Sequence, residues 1–175
     1  MTRTELRAVI EETLSIQEKN AAYRRRRPPA ATMRPPVSDT DLAALEALLA
    51  ERGLALPPSF RTLLLVSDGV PNYMQAHRLS LRGAREIVAS SESDEEWDDF
   101  EPLHKFVFAS GQTGDFVAFD GSAPASSGEL PVVLVDSDGS RTRYADLPEF
   151  LLEQLDVQRN VLETNLANRA GLPDD

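Results

Sequence analysis

The chain has 175 residues and a formal net charge of −11, with 29 Asp/Glu against 18 Lys/Arg and no cysteine. Lack of Cys excludes disulfides, thiolate catalysis, Cys-ligated zinc and iron–sulfur clusters. No apolar run approaches the ~20 residues of a membrane span, and the N-terminus has no signal-peptide apolar core, so the sequence reads as cytoplasmic. Length and composition fit one core of ordinary size with appendages.

Charge is unevenly spread. Residues 1–36 hold 8 Lys/Arg and 4 Asp/Glu, net +4, while the remainder holds 10 Lys/Arg and 25 Asp/Glu, net −15. Such a surface either repels nucleic acid and anionic membrane and steers basic partners toward itself, or only keeps the protein soluble.

The first predicted element is a helix from Thr4 to about Arg26. Leu6, Val9, Ile10, Thr13, Leu14 and Gln17 share one face at helical spacing. Its acidic residues come early and the Arg24–Arg27 run late, which suits the helix dipole better than a nucleic-acid patch. The apolar stripe needs a partner, either the C-terminal helix or a second copy. Pro28–Pro36 reads as a semi-extended linker, which places the main domain from about Val37 to residue 170 and leaves 171–175 as a tail.

Ser38 or Asp39 caps a helix carrying Leu42, Leu45, Leu48 and Leu49, which ends at Gly53. The next stretch, LPPSFRTLLLVSDGV (Leu56–Val70), organises the chain. Pro57 and Pro58 preset a helix start, Phe60, Leu63, Leu64 and Ser67 form its buried face, and Gly69 is the expected left-handed stop. Leu79–Leu81 reads as a short strand, and a helical turn or two follows to about Ser90, with Ala84, Ile87 and Val88 inward.

SESDEEWDDFEPL (Ser91–Leu103) packs acidic residues around Trp97. One reading is a solvated loop that Trp97 and Phe100 pin to the core; the other is a partner-binding loop formed by Glu92, Asp94, Glu95, Glu96, Asp98, Asp99 and Glu101, with Trp97 as anchor. Phe106–Ala109 and Phe116–Asp120 then read as strands joined by a Gly-containing turn. Pro131–Val135 is a buried strand, DSDG (Asp136–Gly139) a hairpin turn, and Arg141–Tyr144 the return strand. Asp146 or Pro148 opens a final helix with Leu147, Leu151, Leu155, Leu162 and Leu166 in its stripe and Phe150 beside it. Strands in succession without alternating helices predict an α+β fold: an antiparallel sheet of about four to six strands with helices mainly on one face.

Catalytic signatures are missing from the sequence. His77 and His104 sit in no motif with a nucleophile or metal-ligand partner. There is no G-x-S-x-G, no phosphate-binding Gly-x-x-x-x-Gly-Lys-Ser/Thr and no H-E-x-x-H. Asp136–Gly139 lacks the later ligands of a calcium loop. No cofactor, metal or catalytic residue is expected.

The pattern Leu-Pro-x-x-Phe … Leu-Leu … Asp-Gly (Leu56–Gly69) resembles the helix signature of the SUKH superfamily, which includes Smi/Knr-type proteins. Trp97 before the central strands, the Phe108–Phe116 hairpin and the Val strand ending at Asp136 follow in that family's order, as does Ala145–Leu151. Asp68 stands where the family often has Asn, and Leu147-Pro148 where Ser/Thr-Phe is common. The resemblance covers roughly Val37–Leu155. It implies a non-enzymatic binding domain, in bacteria often an immunity protein that neutralises a toxin, with a regulatory or scaffold module as the alternative. Since such toxins often act on nucleic acid and carry basic surfaces, the expected partner is a basic toxin domain rather than nucleic acid or membrane.

Overall fold

The computed structural model describes residues 1–23, 32–74, 79–91, 105–111, 114–122 and 124–170. In chain order these form α1 (Arg3–Tyr23), α2 (Asp39–Glu51), α3 (Pro58–Val66), β1 (Val70–Met74) and β2 (Leu79–Leu81). Then come α4 (Ala84–Ser91), β3 (Lys105–Ser110), β4 (Phe116–Asp120), β5 (Val132–Val135), β6 (Arg141–Tyr144) and α5 (Leu147–Ala170). The strands make one six-stranded sheet in the order β1-β2-β3-β4-β5-β6, with every neighbouring pair antiparallel. The fold is therefore α+β, an antiparallel meander with helices before, within and after it.

Local chemistry explains the helix ends. Ser38 caps α2, its Oγ accepting from Asp41 N at 3.1 Å, as a short hydroxyl side chain does for orphan first-turn amides. At α3 Pro58 fills the first turn. The next amide is answered from far along the chain, where Glu129 accepts from Ser59 N at 2.9 Å and from Ser59 Oγ at 2.6 Å.

The core lies between the helices and the inner face of the sheet. Phe60 of α3 is fully buried and its ring lies 5.3 Å from those of Phe108 and Phe119 and 5.8 Å from Phe106. Phe150 of α5 closes the cluster edge-on against Phe108 and Tyr144. Around this aromatic centre sit Leu45 and Leu49 of α2 and Leu6 and Ile10 of α1. α1 packs against α3 and α5, and α2 against α4. Arg159 of α5 donates to Glu12 of α1 at 2.7 Å, and Asn165 to Asn20 at 3.0 Å. Alternation places Val107, Ala118 and Val133, paired in one row across the sheet, on its other face; they too are buried.

Three expectations change. α3 stops at Val66 with Ser67 as an extended C-cap; Gly69 is left-handed at φ +95°, but it shapes the turn into β1 instead of capping the helix. Val70–Met74 is a strand, concealed in the sequence by Pro71 and by Asn72, whose φ of +53° breaks the β1–β2 register. Leu166 is 53% exposed, because α5 has there run past its Asn165–Asn20 contact with α1 and no described residue covers it.

Candidate functional site

The expected partner loop, Glu92, Asp94, Glu95, Glu96, Trp97, Asp98, Asp99 and Glu101, lies outside the described residues, as do His77, His104 and Arg24–Arg27. Two other arrangements carry the polar chemistry of the fold.

The first is a knot where the linker meets the starts of α2 and α4. The Asp68 carboxylate accepts from Ala84 N at 2.6 Å, so the residue after the α3 C-cap supplies a cap for α4. Asp68 N donates to Pro35 O at 2.9 Å and Arg34 N to Gly69 O at 3.4 Å, which stitches the linker to the α3–β1 turn. Arg34 pairs with Glu86 at 2.8 Å and Arg85 with Asp41 at 3.3 Å. Burial pushes the Glu86 carboxyl up, but bonds from Arg34 and from Gly83 N outweigh it and hold the group below its ordinary range. The Asp41 carboxyl is lowered first by the Ser38 hydroxyl and then by Arg85. A cleft of about 460 Å³ opens between these residues. Every charge lining it already has a partner, so the knot positions backbone and offers no poised acid, base or nucleophile.

The second arrangement is acidic. The β5–β6 turn runs through Asp136 and Asp138, with Gly139 left-handed at φ +84°. Asp138 Oδ1 accepts from Ser140 N at 2.8 Å, and that bond holds the carboxyl below its ordinary range. Asp146 stands just before α5, and Glu149, Glu153 and Asp156 follow along its first turns. Glu149 accepts from Ala145 N, directly after β6. Tyr144 lies buried behind them, its hydroxyl accepting from Gln154 Nε2 at 3.2 Å. Burial raises the Tyr144 phenol, and the nearby charges of Glu153, Asp136 and Glu149 raise it further; the turn carboxylates lie at the Arg141 end of β6 and Glu149 at its Tyr144 end. Leu152 stands among them, 45% exposed. Glu149 and Glu153 face no cation among the described residues.

Neither arrangement is a metal centre: among the described residues no three His, Cys, Asp or Glu side chains are grouped to hold an ion. None of the described helices is long and apolar enough to cross a membrane. Sequence reasoning read Asp136–Gly139 only as a turn and missed the acidic face around it. The signal was present as acidic residues at positions 146, 149, 153 and 156, but they had no visible neighbour across the hairpin.

No curated protein matches the chain. A model of the SMI1 / KNR4 family (SUKH-1) matches residues 36–153, from the linker's end to the second turn of α5, leaving out α1 and most of α5. The chain belongs to the SMI1/KNR4 (SUKH-1) family.

Proposed function

We propose that this chain is a non-enzymatic immunity domain that binds and neutralises a basic toxin directed at nucleic acid. The acidic face of the β5–β6 turn and α5 carries the reading. Asp138, Glu149 and Glu153 are exposed there, on a stretch of chain whose net charge past residue 36 is −15 (10 Lys/Arg, 25 Asp/Glu). A cleft built for phosphate presents cations, and an acidic protein reaches it quickly and blocks it. We assign partner binding also to the residues from Glu92 to Glu101, with Trp97 as their anchor.

The test is capture of partners at low salt with the full chain, followed by co-expression of the captured protein with and without it. One basic partner, released by high salt and toxic unless this chain is present, is the expected result. Several weak partners without toxicity would replace the reading with a regulatory module of the Smi/Knr type. Reversing Glu95, Glu96, Asp98 and Asp99 to Lys slows association and flattens its salt dependence if the loop takes part; unchanged association would remove the loop from the surface.

A further inference from the structure

The sheet ends in two edges that the fold treats differently. At β1 the edge is covered: Gln17 of α1 donates its Nε2 to the Tyr73 carbonyl, and Arg34 N donates to Gly69 O. At β6 it is open. The strand pairs with β5 alone, and no described segment gives a main-chain hydrogen bond to Arg141, Thr142, Arg143 or Tyr144 from its free side. An edge of this kind is a template for one more strand.

Side chains flanking the edge are sorted by sign. The register sets Thr142 opposite Leu134 and Tyr144 opposite Val132, both core residues, so Arg141 and Arg143 stand on the other face of the sheet. Arg141, Thr142 and Arg143 are exposed. On the core side α5 brings Glu149 to the Ala145 amide and Glu153 one turn further on. The edge is thus cationic on one side and anionic on the other.

This sorting argues against a second copy as occupant. Antiparallel pairing of two β6 strands sets Arg143 opposite Arg143, or Arg141 opposite Arg143, and like charges directly opposite destabilise a sheet. We propose that the free edge of β6 is the docking site for an extended segment of a protein partner, which adds a seventh strand with acidic side chains beside Arg141 and Arg143 and basic ones beside Glu149 and Glu153. Main-chain bonds give the attachment and the charge alternation selects the segment. Arg143 already pairs with Asp120 at 2.5 Å, so Arg141, which makes no ion pair among the described residues, does more of the selecting. The proposal rests on the protein-binding reading above and names its mode.

The experiment uses the full chain, isotopically labelled, with a short threonine-rich peptide carrying lysines on one strand face and glutamates on the other. A control peptide of the same composition carries both charges on one face. The matched peptide is expected to slow amide exchange at β6. Arg141→Glu and Glu153→Lys, both at exposed positions, are each expected to weaken it by roughly threefold to tenfold. No protection at millimolar peptide, equal protection by the control, or a dimer of the chain paired through β6 would overturn the proposal. A captured toxin that binds Arg141→Glu as tightly as the parent would overturn it too, and would leave the protein-binding reading standing. Peptide protection of β6 in a chain that neutralises no toxin would do the opposite, keeping the docking edge and removing the immunity function.

Discussion

Arg143 Nη1 donates to Asp120 Oδ2 at 2.5 Å, and the Asp120 side chain is wholly buried while the guanidinium is about half exposed. The pair ties the end of β4 to the edge strand β6 across β5. Asp120 also accepts from Ser122 N at 3.0 Å and Ser122 Oγ at 2.6 Å. Replacing Asp120 by Ala leaves these donors without their acceptor and is expected to cost about 1–3 kcal/mol. Arg143→Ala removes only a half-solvated partner and is expected to cost less than about 1 kcal/mol. Urea titration of the variants gives the order; the reverse order would mean that the ion pair, and not the Ser122 turn, holds Asp120.

Acid pH tests the same carboxylate. Burial raises the Asp120 group, but the bonds from Ser122 and the Arg143 guanidinium outweigh that and leave it below the ordinary value. A lowered carboxyl contributes stability above its unfolded pKa of about 4 and loses it as pH falls through the folded value. The stability gap between the parent and Asp120→Asn is therefore expected to be constant near neutrality and to shrink below about pH 4. A gap that persists undiminished into strong acid would remove the ionised form from the account.

Tyr73 governs the other end of the pH scale. Its ring is fully buried under α1, and burial pushes the phenol up to about 12, the weak 3.5 Å contact with Thr13 offsetting little of it. A raised pKa means that the folded state keeps a proton the unfolded chain gives up. Stability is whole below about pH 10, the unfolded value, and falls as pH rises from there toward 12. Tyr73→Phe is expected to remove this alkaline slope while changing stability at pH 7 little. Thermal melts of both proteins across the alkaline range decide it.

The helices were legible because each writes its own period: Leu42, Leu45 and Leu49 mark α2, and Phe60, Leu63 and Leu64 mark α3, and all six are buried. β4 and β5 were legible as unbroken β-rich runs. β1 was not, since Pro71 argues against a central strand and only its position at the sheet's edge makes it tolerable. The α3 cap was invisible for another reason, as Ser59 and Glu129 are far apart in sequence and meet only when the sheet has formed. Gln154 and Gln158 of α5 are buried as well, which an apolar stripe of leucines alone does not mark. The acidic face failed to show because composition marks charge along a chain and not charge across a hairpin.

Two left-handed glycines separate strain from crowding. Gly69 has φ +95° and Gly139 φ +84°, so alanine at either meets similar backbone strain, about 1–2 kcal/mol. At Gly139 an added Cβ meets open space, whereas at Gly69 it would lie 2.8 Å from Gly83 N and 2.9 Å from Leu81 O. Backbone atoms on both sides cannot yield easily. Gly69→Ala is expected to exceed Gly139→Ala in cost by about 1–3 kcal/mol, the usual penalty of overpacking. Equal costs in chemical denaturation would mean that the α3–β1 turn and the start of α4 separate readily.

α1 lies outside the family match, yet Leu6 and Ile10 are fully buried in the same cluster as Phe60 and Leu45. A helix that merely rested on a complete domain would contribute contacts at the rim, and truncating one of its residues would cost little. Here α1 also supplies Gln17 to the Tyr73 carbonyl and Glu12 to Arg159, so it closes the β1 edge and braces α5. Ile10→Ala is accordingly expected to cost about 2–5 kcal/mol, in the range of Leu45→Ala, through lost burial and the cavity left behind. The unfolding transition is expected to remain single, because α1 packs against both α3 and α5 and shares their core. An Ile10→Ala protein that melts in two steps, or within about 0.5 kcal/mol of the parent, would mean that the core closes without α1.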